Sequence, residues 1–192
     1  METKKILILV SLFVLLVVLV ILFFNRGGEE KIKPGPEEVS TELKIEPSEE
    51  VEFKKITLFF PSEADSLLHP EEREIVASSS LVKEAKQTVL ELLEGSKSGY
   101  LSPFPPETRL RELYFTEEGI AYVDFSREIQ EKHISGSTAE MATVFSVVNS
   151  LTYNFKSIKR VFILIEGGEK ETLGGHINLS RPFLPKYDLI AE

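Results

Sequence analysis

The order of elements readable along the chain predicts an α+β domain in which two helices pack on one mixed, largely antiparallel sheet, preceded by one N-terminal transmembrane helix. Three observations carry this expectation. Apolar residues alternate with a period of two in several short stretches, recur at helical spacing in two longer ones, and form one nearly unbroken run at the N-terminus.

That run, Ile6 to Phe24, is interrupted only by Ser11. At 1.5 Å per residue it would span about 28 Å as a helix, close to the hydrocarbon thickness of a bilayer. A cleaved signal peptide has a shorter apolar core, and a cut after Gly28 would leave Arg26 at the −3 position. The segment therefore reads as a retained anchor, with residues 1–5 as a cytoplasmic tail. Lys4 and Lys5 precede it while Arg26, Lys31 and Lys33 follow it, so charge alone does not fix its orientation. The short basic leader suggests a signal anchor, with the rest of the chain outside the cytoplasm at the cell membrane. Residues 25–52 hold nine Glu, four Lys or Arg and three Pro with few apolar side chains. Such a composition cannot offset the entropy of ordering, which predicts a disordered acidic linker.

The folded domain is expected over residues 53–185, with 186–192 as a C-terminal tail. Lys54 to Phe60 alternates as a strand and stops at Pro61, and a polar loop then leads to a short strand at Arg73 to Ala77. Val82, Ala85, Val89, Leu92 and Leu93 lie on one face of a helix that Gly95 caps. The proline-rich stretch Ser102 to Pro106 breaks regular structure. Arg109 to Phe115 and Ile120 to Phe125 form a hairpin, with Gly119 in the left-handed turn position. Ser137-Thr138-Ala139-Glu140 reads as a capping box. Met141, Val144, Phe145, Val148, Leu151, Thr152 and Phe155 follow as the stripe of a second helix, and no charge occurs between Glu140 and Lys156, so this helix should be the core element. Val161 to Ile165 is apolar throughout, as in a central strand covered on both faces, and a last hairpin returns through Leu173 to Leu179.

Composition narrows the function. The chain carries a net charge of −9 with 22 basic and 31 acidic residues, and residues 53–192 alone hold 16 basic against 21 acidic. No basic footprint exists for nucleic acid. The absence of Cys removes disulfides, thiolate ligands, a thiol nucleophile and a lipidated cysteine.

No residue set points to a cofactor, metal or catalytic site. His69, His133 and His176 lie in polar contexts without the spacing that places two ligands on one helix face. Ser126, His176 and Asp124 could compose a hydrolytic triad, but no serine sits in a Gly-x-Ser-x-Gly elbow, and Asp124-Phe125-Ser126 reads more simply as a turn and helix cap. Gly167-Gly168 and Gly174-Gly175 are turn residues, lacking the Lys-Ser/Thr of a phosphate loop. Glu71-Glu72 and Glu117-Glu118 sit among charged neighbours, a context that does not suggest the burial acid–base work needs.

Six phrases in order nevertheless resemble one family. These are Ile56-Thr57-Leu58-Phe59-Phe60-Pro61, Leu101 through Leu110, Ala121-Tyr122-Val123-Asp124-Phe125-Ser126, Val148-Asn149-Ser150-Leu151-Thr152, Val161 through Gly167, and Gly175 through Pro182. Over about residues 54 to 183 the chain resembles the GerMN domain of spore germination and sporulation proteins. The resemblance implies an extracytoplasmic, noncatalytic domain of the bacterial envelope, related in fold to ring-building motifs. Its implied partners are envelope proteins or peptidoglycan, with a homo-oligomer as a further option. Membership here would be of a single-copy, membrane-anchored kind. The alternative is an envelope hydrolase acting on a cell-wall or polysaccharide substrate through Ser126 or Asp124 and His176.

Overall fold

The computed structural model describes residues 51–134 and 136–192. The anchor expected at 6–24 and most of the linker expected at 25–52 lie outside them. No helix among the described residues is long and apolar enough to cross a membrane.

The architecture is α+β, but the strands divide into two sheets. Strands β1 (Phe53–Pro61) and β2 (Leu68–Val76) form an antiparallel pair, in register from Phe53 opposite Val76 to Pro61 opposite Leu68. Strands β3 (Leu110–Phe115), β4 (Ile120–Phe125) and β5 (Arg160–Ile165) form a mixed sheet in that order, with β3–β4 antiparallel and β4–β5 parallel. Helix α1 (Leu81–Leu93) follows β2, the single turn α2 (Glu128–Glu131) follows β4, and α3 (Ser137–Asn154) makes the crossover that a parallel β4–β5 pair requires.

The second sheet exists because β1 is closed on its outer side by a helix. The Asn154 carboxamide of α3 acts like a neighbouring strand: its Oδ1 accepts from the Thr57 amide at 2.9 Å and its Nδ2 donates to the Thr57 carbonyl at 2.6 Å. Ser150 Oγ accepts from the Phe59 amide at 3.1 Å, and the Pro61 carbonyl accepts from the Leu101 amide. With those groups satisfied, no further strand can add at β1. The expected single sheet is corrected accordingly.

Strand β2 is longer than its sequence pattern suggests. Its inward positions are Leu68, Glu71, Arg73 and Ile75, so an ion pair occupies the interior face where apolar residues would have revealed the alternation. His69, expected in a loop, lies in this strand and stacks on Tyr100. Strand β5 is buried on both faces as expected, yet it stands at the edge of its ladder, and β4 is central. Beyond β5 a single bridge joins Val161 to Phe183. The hairpin expected through Leu173 to Leu179 is instead a loop with one bridge, Thr172 to Asn178. A short 3-10 turn, Tyr187–Leu189, follows, and the Ala191 amide donates to the Leu68 carbonyl.

The core lies between α3 and the two sheets, with Phe60, Leu92, Val123, Phe125, Val148 and Leu151 fully buried. The absence of charge along α3 has this burial as its cause. On the other face of the mixed sheet, Tyr114, Tyr122 and Phe162 stack in a row across β3, β4 and β5, with centroids 5.0 and 5.3 Å apart. Gly119 takes φ +81° in the β3–β4 turn, and a Cβ there would meet the Ser157 carbonyl at 2.6 Å.

Candidate functional site

Most of the polar residues that the sequence brings to notice are used within the fold. Asp124 Oδ1 accepts from the Gly167 amide at 2.8 Å and Oδ2 from Arg111 Nε at 3.0 Å, tying the end of β4 to β3 and to the turn after β5. In that turn Glu166 adopts φ +55° and Gly167 φ +73°. The Glu166 carboxylate stabilises this conformation by accepting from Arg111 Nη1 and from the Arg127 amide. Ser126 Oγ accepts from the Arg109 amide at 3.0 Å. His176 Nδ1 lies 2.7 Å from Glu140. The Ser126, His176 and Asp124 constellation is therefore not assembled: each member braces a different junction. Asp124 is a strand tie, and the short helix after Asp124-Phe125-Ser126, the expected turn and helix cap, has Arg127 at its N-cap and no side-chain cap.

Glu140 is likewise not the capping residue of a capping box. Helix α3 starts one residue earlier than that motif requires, with Gly136 at the N-cap and no side-chain cap. The Glu140 carboxylate turns inward, is fully buried, and accepts from the Ile177 amide at 2.8 Å and the His176 amide at 3.2 Å. Burial favours its neutral form, but the Ile177 amide, the His176 ring and the amides of Gly174 and His176 outweigh it and lower the pKa. Gly174 has no side chain because a Cβ would lie 2.8 Å from Glu140 Oε1.

Glu71 provides a second example. Expected among exposed charges, it is buried and accepts from Arg73 Nε, Ser96 Oγ and the Lys97 and Ser98 amides. Burial pushes its pKa up, while Ser96, the Lys97 amide, Arg73 and Ser98 together bring it down to about 2. Such a group is a permanently charged anchor for residues 95–98, unsuited to proton transfer at neutral pH.

An apolar cleft of about 390 Å³ lies between the proline-rich stretch, the end of β1, the segment after α2 and the first turns of α3, whereas a second concavity of about 400 Å³ among the described residues is lined by charged side chains, Lys55, Glu72, Arg73, Glu74, Glu91 and Lys97. Leu101, Phe104, Pro105, Ile134, Ala139 and Ala142 supply apolar lining, with Ile134 77% and Leu101 47% exposed. The regular structure stops at Ser102 to Pro106 because proline removes amide donors, and this leaves the wall in place without a strand to fill the gap. His133 holds the opposite wall: its Nδ1–H donates to the Ile134 carbonyl at 2.7 Å and its Nε2 lies 2.8 Å from Thr143 Oγ1. The Thr143 hydroxyl, with one proton to give, also lies within hydrogen-bond distance of the Pro103 and Ala139 carbonyls, so it is surrounded by partners inside the wall. The His133–Thr143 spacing is that of a base and a nucleophile, yet Thr143 is 1% exposed and its hydroxyl is committed to carbonyls. It is a brace. Lys132 Nζ pairs with Glu107 at 2.6 Å, and that hydrogen bond raises the lysine pKa.

Nothing in the sequence places His133 at a cleft, because its ring partners are the Ile134 carbonyl and Thr143, ten positions away. Among the described residues no group of three or more His, Cys, Asp or Glu side chains could hold a metal ion.

Comparison with known proteins gives the same fold. The structure resembles the tandem GerMN domains of the sporulation protein GerM from Bacillus subtilis, at 22% identity and TM-score 0.57, over 71% of this chain and 48% of that one. It resembles the first GerMN domain of that protein at 23% identity and TM-score 0.53, over 70% of this chain and 99% of that one. A candidate lipoprotein from Clostridium perfringens matches at 24% identity and TM-score 0.50, over 71% of this chain and 90% of that one. No curated protein sequence matches. The family model Germane, described as sporulation and spore germination, matches residues 57–171, more than half of the chain, and the chain therefore belongs to that family.

Proposed function

We propose that this chain is a noncatalytic binding module of the bacterial envelope, tethered to the cell membrane by Ile6 to Phe24 and presenting its domain outside the cytoplasm on the acidic linker. The cleft beside Pro103 to Pro106 is its binding surface. The observation that carries this reading is the contrast in how polar and apolar groups are used. Asp124, Ser126, His176, Glu140 and Glu71 are engaged in holding loops, whereas Leu101 and Ile134 remain exposed around an apolar cavity. A concave apolar site with a few polar groups at its rim is the usual form of a ligand-binding surface. The sporulation and germination family supplies the biological setting, and a partner in the envelope is the proposed ligand.

The test is site-specific photocrosslinking of the full chain in native membranes. Benzoylphenylalanine at Ile134 or Leu101 should give a discrete adduct, and the same probe at Tyr114, on the opposite face of the mixed sheet, should give none. Equal adducts at all three positions, or an adduct at Tyr114 alone, would remove the cleft from this role.

A further inference from the structure

Resting on the reading of the cleft as a binding surface, we infer that its ligand is an extended segment of another envelope protein that places an apolar side chain in the cavity and a Lys or Arg beside Glu63. Charge complementarity is the argument. Among the described residues, the carboxylate and ammonium side chains that line the cleft are Glu63 and Lys132. Lys132 is already neutralised by Glu107 at 2.6 Å. Glu63 is exposed on the β1–β2 connection and has no ion-pair partner among the described residues. The one uncompensated charge at the rim is thus negative, within a domain that is itself acidic.

The lining adds the other half of the specificity. Phe104, Pro105, Ala139 and Ala142 present aliphatic and ring carbon. Ser66 and Thr138, exposed at the rim, can bond to a main chain laid across it. A volume of about 390 Å³ has room for one large apolar side chain with its flanking backbone. A carboxylate-rich wall polymer meets like charge at Glu63 and across the domain, which favours a protein segment over the wall.

The experiment is a nitrogen-15 NMR titration of the full chain in detergent micelles with two synthetic peptides, acetyl-Gly-Pro-Leu-Lys-Gly-amide and its counterpart with Glu in place of Lys. The lysine peptide should shift the amides of Leu101, Thr138 and Ala139 and bind about threefold to fivefold more tightly, the gain an exposed ion pair supplies. Glu63→Gln should abolish that preference while leaving the shifts in place. Equal binding of both peptides, or a preference that survives Glu63→Gln, would overturn the inference and leave the cleft a binding site. Shifts confined to the Tyr114–Tyr122 face, or the absence of shifts together with the absence of an adduct at Ile134, would overturn the underlying reading as well.

Discussion

The two loops that flank the start of α3 end in opposite ways. The loop Gly174 to Ile177 closes on the Glu140 carboxylate, which is fully buried and receives amides from His176 and Ile177. The segment Lys132 to Ile134 is held by the His133 ring on Thr143 and by Lys132 on Glu107, and it leaves Ile134 77% exposed over a cavity. In the first region a charged side chain fills a cradle of backbone donors, and little is left for a partner. In the second the polar groups satisfy one another behind the wall, and the apolar surface in front is unsatisfied. The conspicuous ionisable residues of this domain thus hold loops, while the surface proposed for binding is built from prolines and aliphatic side chains.

The largest expected effect comes from breaking the closed region. Glu140→Ala would remove the acceptor of the half-buried His176 and Ile177 amide bonds and open a void at a fully buried site, and should cost about 3 kcal/mol in urea unfolding. Hydrogen exchange at His176 and Ile177 should accelerate in the same variant.

Glu71 should give a pH dependence of similar size. Its folded pKa, about 2, is depressed below the ordinary carboxylate value of 4.5. The stabilisation is therefore fully present above about pH 4.5 and is lost as pH falls from there through about 2, on the order of 3 kcal/mol in all. Unfolding of the wild type and Glu71→Gln at a series of pH values checks this: the variant's stability should fall less over that window.

Two backbone sites follow. Gly119→Ala forces a side chain at φ +81° against the Ser157 carbonyl and should cost about 2–3 kcal/mol. Asn154→Ala frees both polar groups of Thr57 and should cost about 2 kcal/mol, read by thermal or urea melts.

Legibility in the sequence followed the same division. Strands β3 and β4, Gly119, the first helix with its Gly95 stop and the buried second helix were readable because apolar period and turn chemistry act locally. Strand β2 was only partly readable, since Glu71 and Arg73 occupy its inward positions and imitate a polar loop. The division into two sheets depends on Asn154 and Ser150 reaching β1 from about ninety residues away, which no local pattern encodes. Glu140 had the spacing of a capping box, but the Gly174 to Ile177 amides compete for its carboxylate and win by offering several donors in one place. The cleft was half legible: the proline run announced an irregular wall, and nothing announced the His133 brace opposite it.

The smallest expected change in stability is also the most informative for function. Ala142 lines the cleft on α3, and Ala142→Phe would fill it from a helix whose other face makes the core. The direct measurement is crosslinking from Leu101 in native membranes, with and without this substitution, alongside a melt of each protein. The expected result is a melting temperature within a few degrees of wild type, as for substitutions outside the core, together with loss of the Leu101 adduct. An undiminished adduct in a folded Ala142→Phe protein would contradict the assignment of the cleft as the binding surface.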